Sequence, residues 1–381
     1  RPAWGLPGLP GRVGTVGLPL AYRIRLQNQT TRAQPNLVIM EDLGDGRPSL
    51  QQFLETTEPG EEDRNWFDRV CGYYRWRWLL WQNSGCKTGE LALPALAPGA
   101  ALEVFHELTP HRRGVLRLPA LTVGWPDPFG LFRSVRSLPG AQSILVLPRR
   151  YPLPPLKLPG TRLLQPGGVT LASSVGESEE FIALRDYRPG DPLRRIHWRS
   201  LAKVGKPVIK EYQDEFFARH ALVLDTFASR VHPEVFEEAV SVAASFACTI
   251  PDQESLLDLL FVGQAAYHFT AGRSLALADQ LLEILASVSI SPRSDFEELE
   301  RLVLRHTGFV TSCICVFLAW DEPRQRLVHR LRSLGVPVMV FVVSAARKSG
   351  EKRLDPGPLG DCAGCFHELV AGRIAEGLAK V

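Results

Sequence analysis

The chain has 381 residues, with 44 Lys and Arg against 41 Asp and Glu, a net charge of +3. That length suits two domains, or three, and each can bury a core of its own. So small a net charge excludes a nucleic-acid polycation, and nucleic acid is not an expected partner. No apolar run reaches the roughly 18 residues of a spanning helix. Seven cysteines spread thinly over this length do not form a disulfide framework, and a reducing, cytoplasmic setting is expected.

The first 150 residues read as short strands: Leu20–Gln27, Asn36–Leu43, Leu102–Leu108, Val115–Val123 and Ser143–Leu147. Turns rich in Pro, Gly and Asn separate them, as in a β-sandwich. Residues 50 to 90 interrupt the pattern, and four of the eight tryptophans (Trp66, Trp76, Trp78, Trp81) fall there. From Tyr74 the order Tyr-Arg-Trp-Arg-Trp alternates. A strand is therefore expected, with Tyr74, Trp76 and Trp78 on one face and Arg75 and Arg77 on the other. Most of these rings are expected to pack on the sandwich; the alternative is a partner-binding or membrane-surface patch.

Residues 150 to 180 form a Pro/Gly-rich connector, and a dense charged segment follows, Arg185 to Arg199. Between Arg185 and Lys210 stand eight Lys or Arg and two Asp. Pro189-Gly190 marks a turn, Asp191 can cap a helix and Pro192 fits its first position. That helix is expected to run to Lys203 and stop at Gly205, with a strand over Lys206–Tyr212. Two readings fit the segment: a structural ion-pair network clamping neighbouring domains, or a docking site for an anionic ligand such as a nucleotide. The first is favoured.

Strand and helix then alternate. Strands are expected at His220–Thr226, Ser255–Val262, Ala266–Thr270, Ser312–Trp320 and Val336–Val343. Helices are expected at Glu234–Ile250, Leu275–Val288, Asp295–His306 and Arg324–Leu334. This order specifies a mainly parallel, doubly wound sheet with ligands at the carboxyl ends of its strands. Cys313 and Cys315 fall on one side of a buried strand. Cys362-Ala363-Gly364-Cys365 is a lone C-x-x-C, near His367 but without the second pair that zinc needs. Phosphate-loop, zinc-protease and nucleophile-elbow motifs are absent from the sequence, so no enzyme activity is expected. His197, beside Trp198, reads as a member of the charged network.

Arg185, Tyr187, Gly190, Asp191, Arg194, Ile196 and Trp198 resemble the signature of the domain-of-unknown-function 58 family, about R-x-Y-x-x-G-D-x-x-R-x-I-x-W. Arg112-Arg113-Gly114 and Asp127-Pro128-Phe129-Gly130-Leu131-Phe132 resemble that family's R-R-G and D-P-F-G-L-F pair. The resemblance implies a β-rich region followed by a degenerate von Willebrand factor A domain. Domains are thus expected at residues 1–150, with a connector and the signature at 151–218 and the α/β domain at 219–381. It also implies a MoxR-type AAA+ ATPase as partner and a transmembrane hairpin. The chain begins Arg1-Pro2-Ala3-Trp4 without an initiator Met, so a fragment or processed form is expected, with the hairpin before Arg1. The full-length protein would then sit on the cytoplasmic face of a bacterial membrane as a non-enzymatic adaptor in assembly or maturation of other proteins. The signature residues Arg185, Tyr187, Gly190, Asp191, Arg194, Arg195, His197 and Trp198 are its candidate interaction site. A von Willebrand factor A domain often holds a divalent cation through Asp-x-Ser-x-Ser. Here Asp225-Thr226-Phe227-Ala228-Ser229 keeps the first Asp and the last Ser, and Phe227 removes one oxygen. Asp321 stands for the later Asp, and Ser294 or Asp295 for the Thr. No firm cofactor is expected, beyond a weak Mg²⁺ site at Asp225, Ser229 and Asp321.

Overall fold

The structure is a computed structural model that describes residues 13–127, 129, 131–154, 181–188, 196–212, 218–227, 233–250, 255–271, 275–291, 296–345 and 354–381. It is a mixed α/β arrangement of several sheets. Strands β1 (Val13–Thr15), β2 (Leu20–Gln27), β3 (Val38–Asp42), β4 (Cys86–Thr88), β5 (Leu91–Ala92), β6 (Ala101–Pro110), β7 (Gly114–Pro126) and β8 (Arg133–Leu147) form the N-terminal region. Their order is β1-β8-β7-β3-β5 in one sheet and β2-β6-β4 in another. Alternation decides the inward face. In β2, Tyr22, Ile24 and Leu26 are buried while the residues between them are exposed. They join Ile39, Leu108, Leu118, Leu121, Val123, Ile144 and Val146, drawn from both sheets, in one apolar cluster.

Between β3 and β4 lie α1 (Leu50–Glu55), α2 (Trp66–Cys71) and α3 (Tyr73–Ser84). The strand expected from Tyr74 is instead part of α3. Local signals decide this: the Asn65 side chain accepts from the Asp68 amide and starts α2, and left-handed Gly72 and Gly85 end α2 and α3. β9 (Phe181–Asp186) and β10 (Val208–Tyr212) make an antiparallel pair, with α4 (Trp198–Val204) between them in sequence. Gly205, at φ 69°, stops α4 as expected. The helix α4 begins at Trp198, after Ile196 forms a β-bridge with Ile209; the expected start at Asp191 and Pro192 lies outside the described residues.

The C-terminal sheet holds β11 (Ala218–Leu224), β12 (Ser255–Val262), β13 (Ala266–Ala271), β14 (Ser312–Phe317), β15 (Val338–Ser344) and β16 (Phe366–Val370). Their order is β13-β12-β11-β14-β15-β16, all pairs parallel except the antiparallel edge strand β13. Helices α5 (Pro233–Thr249), α6 (Leu275–Ser287), α7 (Glu297–His306), α8 (Glu322–Ser333) and α9 (Ile374–Leu378) cover it. One apolar cluster joins α5, α6 and α9 to one face, and a second joins α7 and α8 to the other. The central strands are accordingly uninterrupted apolar runs, and Cys313 and Cys315 lie in the second cluster.

Arg113 ties the two regions together. It leaves the turn before β7 almost fully buried and donates from Nε to Leu285 O (3.1 Å) and from Nη2 to Val288 O (2.5 Å). It also ion-pairs with Glu237 of α5 and lies 5.1 Å from the Phe236 ring centroid. These carbonyls belong to the C-terminal end of α6, where a cation complements the helix dipole. Gly114, at φ 108°, lets the chain turn there beside Ala286 O. Further on, Leu147 and Tyr151 enter the first C-terminal cluster, and the Tyr151 amide donates to Ser245 Oγ at 2.8 Å.

Arg113→Ala is expected to cost about 3 kcal/mol in urea unfolding, since it strands two buried carbonyls and a charge partner. Glu237→Gln is expected to cost less than about 1 kcal/mol, because that carboxylate is half-exposed. A pH dependence follows from buried imidazoles. Burial holds His106 and His220 below the usual histidine range, and His220 Nδ1 lies 2.7 Å from Ser312 Oγ. The unfolded chain therefore takes up protons that the folded chain refuses. Stability is complete above about pH 6.5 and declines as pH falls below it. Urea titrations at neutral and mildly acidic pH should show this decline, and His220→Gln should lessen it.

Candidate functional site

Parallel neighbours β11 and β14 bring their carboxyl ends together, and with them Asp225 and Asp321. Asp225 is fully buried. Its Oδ1 accepts from the Phe227 amide (2.9 Å) and its Oδ2 from the Leu318 amide (3.1 Å). Oδ2 also accepts from Nε of Arg324 at 2.7 Å. Arg324 is buried in the first turn of α8. Its Nη1 donates to Asp321 Oδ2 (2.6 Å) and its Nη2 to Phe227 O (2.8 Å). Asp321 also caps α8, accepting from the Arg324 amide. Burial pushes the Asp225 carboxyl up from its ordinary value, and Arg324 and the two amides pull against that shift.

The structure thus brings together two of the three predicted metal ligands and sets a guanidinium between them. Ser229, Ser294 and Asp295 lie outside the described residues. Among the described residues no three His, Cys, Asp or Glu side chains are grouped to hold a metal. Phe227 turns into the core against Phe296, with ring centroids 6.0 Å apart, so it offers the site its carbonyl and no side-chain oxygen. Arg324 was missed in sequence because it stands on the helix after Asp321. The signal that could have found it is a basic residue three positions past an acidic helix cap. Cys362 and Cys365 are bonded to each other, and His367 Nε2 lies 2.8 Å from Gly364 O.

Of the signature, Gly190, Asp191, Arg194 and Arg195 lie outside the described residues. Arg185, on β9, turns Nη1 back to the Asp186 carbonyl at 3.2 Å. The Tyr187 amide donates to Pro207 O, and His197 Nδ1 lies 2.6 Å from Ser200 Oγ. Trp198 is exposed. These contacts stay within the β9-β10-α4 unit. Among the described residues, Arg113, β8 and Tyr151 join the β-rich and α/β regions.

Two apolar surfaces stand out from the molecule. At the tip of the β7–β8 hairpin, Phe129, Leu131 and Phe132 are 84%, 76% and 76% exposed. On α2 and α3, Trp66, Phe67, Val70, Tyr73 and Trp81 are exposed, with Trp66 at 75%. Of the rings expected to pack, Tyr74 and Trp76 are each 37% exposed and Trp78 is half-buried, and Trp76 meets Phe53 of α1 rather than a sheet. A helix carries its side chains all round, and α3 turns one stripe inward, with Leu79 buried and Trp78 half-buried. Arg75 reaches Glu61 (Nε to Oε2, 2.9 Å) and the Phe53 carbonyl (3.1 Å), and Arg64 stacks 3.9 Å from the Tyr74 ring. Arg64 and Arg75 are thus spent on holding the segment's own shape.

Residues 183–322 match the family model described as protein of unknown function DUF58. The match begins inside β9, covers the signature and includes Asp225 and Asp321, but ends before Arg324. No curated protein matches the chain. Among solved structures it is similar to an aerotolerance-related membrane protein from Bacteroides fragilis NCTC 9343 bearing multiple mutations to serine. That likeness has 12% identity and a TM-score of 0.28, over 42% of this chain and 94% of that one. It is also similar to a GH20 exo-β-N-acetylglucosaminidase from Vibrio harveyi in complex with N-acetylglucosamine. There the identity is 9% and the TM-score 0.14, over 88% of this chain and 56% of that one. At these scores neither likeness carries an argument about fold or activity.

If the rings of α2 carry no share of the core, Trp66→Ser and Phe67→Ser should each change stability by less than about 0.5 kcal/mol. Leu79→Ala, on the buried stripe, should cost about 3 kcal/mol. Urea unfolding of the three variants separates the two classes.

Proposed function

We propose that this chain is a non-enzymatic interaction protein. In this reading its full-length form is membrane-tethered at the cytoplasmic face and works with a MoxR-type AAA+ ATPase in the assembly or maturation of other proteins. The observation that carries the reading is the aromatic surface of α2 and α3. Contiguous exposed apolar surface is uncommon on a solitary soluble protein, and Trp and Tyr dominate the energetics of protein interfaces. The C-terminal unit is read as a degenerate von Willebrand factor A domain. Its strand order, with a single antiparallel edge strand, and the acidic pair at its carboxyl edge support that reading. Among the described residues no helix is long and apolar enough to cross a membrane.

The test is binding of the purified MoxR-type ATPase from the same organism to this chain, measured by interferometry. Trp66→Ser with Phe67→Ser should lower affinity at least about tenfold while leaving the unfolding midpoint in place. Equal affinity of wild type and variant would remove α2 from the interface. Loss of binding to lipid vesicles instead of the ATPase would make the surface a membrane contact.

A further inference from the structure

Two carboxylates that face one another at the carboxyl edge of a parallel sheet repel unless a cation lies between them. A von Willebrand factor A domain commonly meets that need with a divalent metal. Here we infer that Arg324 replaces the metal: the chain carries the site's positive charge covalently, and its carboxyl edge is built to work without a divalent cation. The inference rests on the reading of the C-terminal unit given above.

Four features agree. Each nitrogen of the guanidinium is used, Nε by Asp225, Nη1 by Asp321 and Nη2 by the Phe227 carbonyl. An incoming ion would have to break all three contacts. Both ends of the Arg324–Asp225 pair are buried, at 7% and 0% side-chain exposure, so a second cation would meet repulsion that water screens poorly. Among the described residues an aromatic ring also faces the guanidinium: the Phe296 ring lies 4.7 Å from Arg324 Cζ. A ring face suits a weakly hydrated planar guanidinium, whereas Mg²⁺ demands oxygens in near-octahedral array. Finally, Asp225 is fully buried and holds two backbone amides, and half-exposed Asp321 already has both carboxylate oxygens engaged by Arg324, one by its amide and one by Nη1. The result is a strut. It fixes the segments after β11 and β14 to the start of α8 in one arrangement, whatever the metal concentration. A partner engaged at this edge is met by protein groups, not through a bridging ion.

The experiment titrates Mn²⁺ into the full chain, read by electron paramagnetic resonance and by thermal unfolding. Wild type should show no saturable binding up to millimolar metal and an unfolding midpoint indifferent to chelator. Arg324→Ala should lower the midpoint, and millimolar Mn²⁺ should recover part of that loss through the vacated carboxylates. Adding Asp225→Asn to Arg324→Ala should abolish the recovery. Arg324→Lys, which keeps the charge, should fold closer to wild type and stay blind to metal; it carries the test if the alanine variant does not fold. Saturable Mn²⁺ binding by wild type that disappears in Asp225→Asn overturns the inference, and so does an unchanged midpoint in Arg324→Ala. The titration uses this chain alone, so failure of the ATPase to bind bears on the adaptor reading and leaves this result intact.

Discussion

Arg113 crosses from the β-sheets to the carbonyls that end α6, and much of the molecule's unity follows from that crossing. An arginine is dear to bury, since its charge leaves water and its forks must each find an acceptor. The α6 terminus supplies carbonyls that no amide of its own helix can satisfy. Two deficits cancel, and neither region could resolve its share alone. Around this point the apolar contacts of Leu147 and Tyr151 continue one core into the next, so the N-terminal sheets and the parallel sheet are joined by packing as well as by charge.

Much of the fold was legible in sequence where burial imposes a period. β2 and β12 fall where alternation and apolar runs place them, and α5, α6 and α7 where helical spacing does. The reading failed at Tyr74–Trp78, where α3 turns only a narrow stripe inward. An exposed helix tolerates rings and arginines in any order, so the period-two pattern there was accidental. Capping chemistry at Asn65, Gly72 and Gly85 was the better guide. Strand β16 and helix α9 were missed because they are short and follow a Gly/Pro-rich loop. The R-R-G motif was noticed, but nothing in sequence reveals that Arg113 answers a helix end some 170 residues later.

The candidate site was half legible. Asp225 and Asp321 could be placed at strand ends by periodicity, and Phe227 brings no side-chain oxygen. What periodicity cannot show is which neighbour fills the gap. A guanidinium and a metal ion solve the same electrostatic problem with different demands on their surroundings. The aromatic wall of Phe227 and Phe296 tells them apart only once the side chains are in place.

Gly72 ends α2 and begins α3, so one backbone position joins the two helices. Its φ of 64° and the Phe53 ring, which a β-carbon would meet at 2.5 Å, strain any other residue there. The angle between the helices therefore passes through two torsions, while α3 itself is anchored by Leu79 and by the stacking of Trp81 on His111. The aromatic surface is mounted like a signpost on its own pivot. A change at that pivot would re-aim the surface and leave the sheets beneath undisturbed, so this part of the protein can diverge in what it meets without renegotiating how the rest folds.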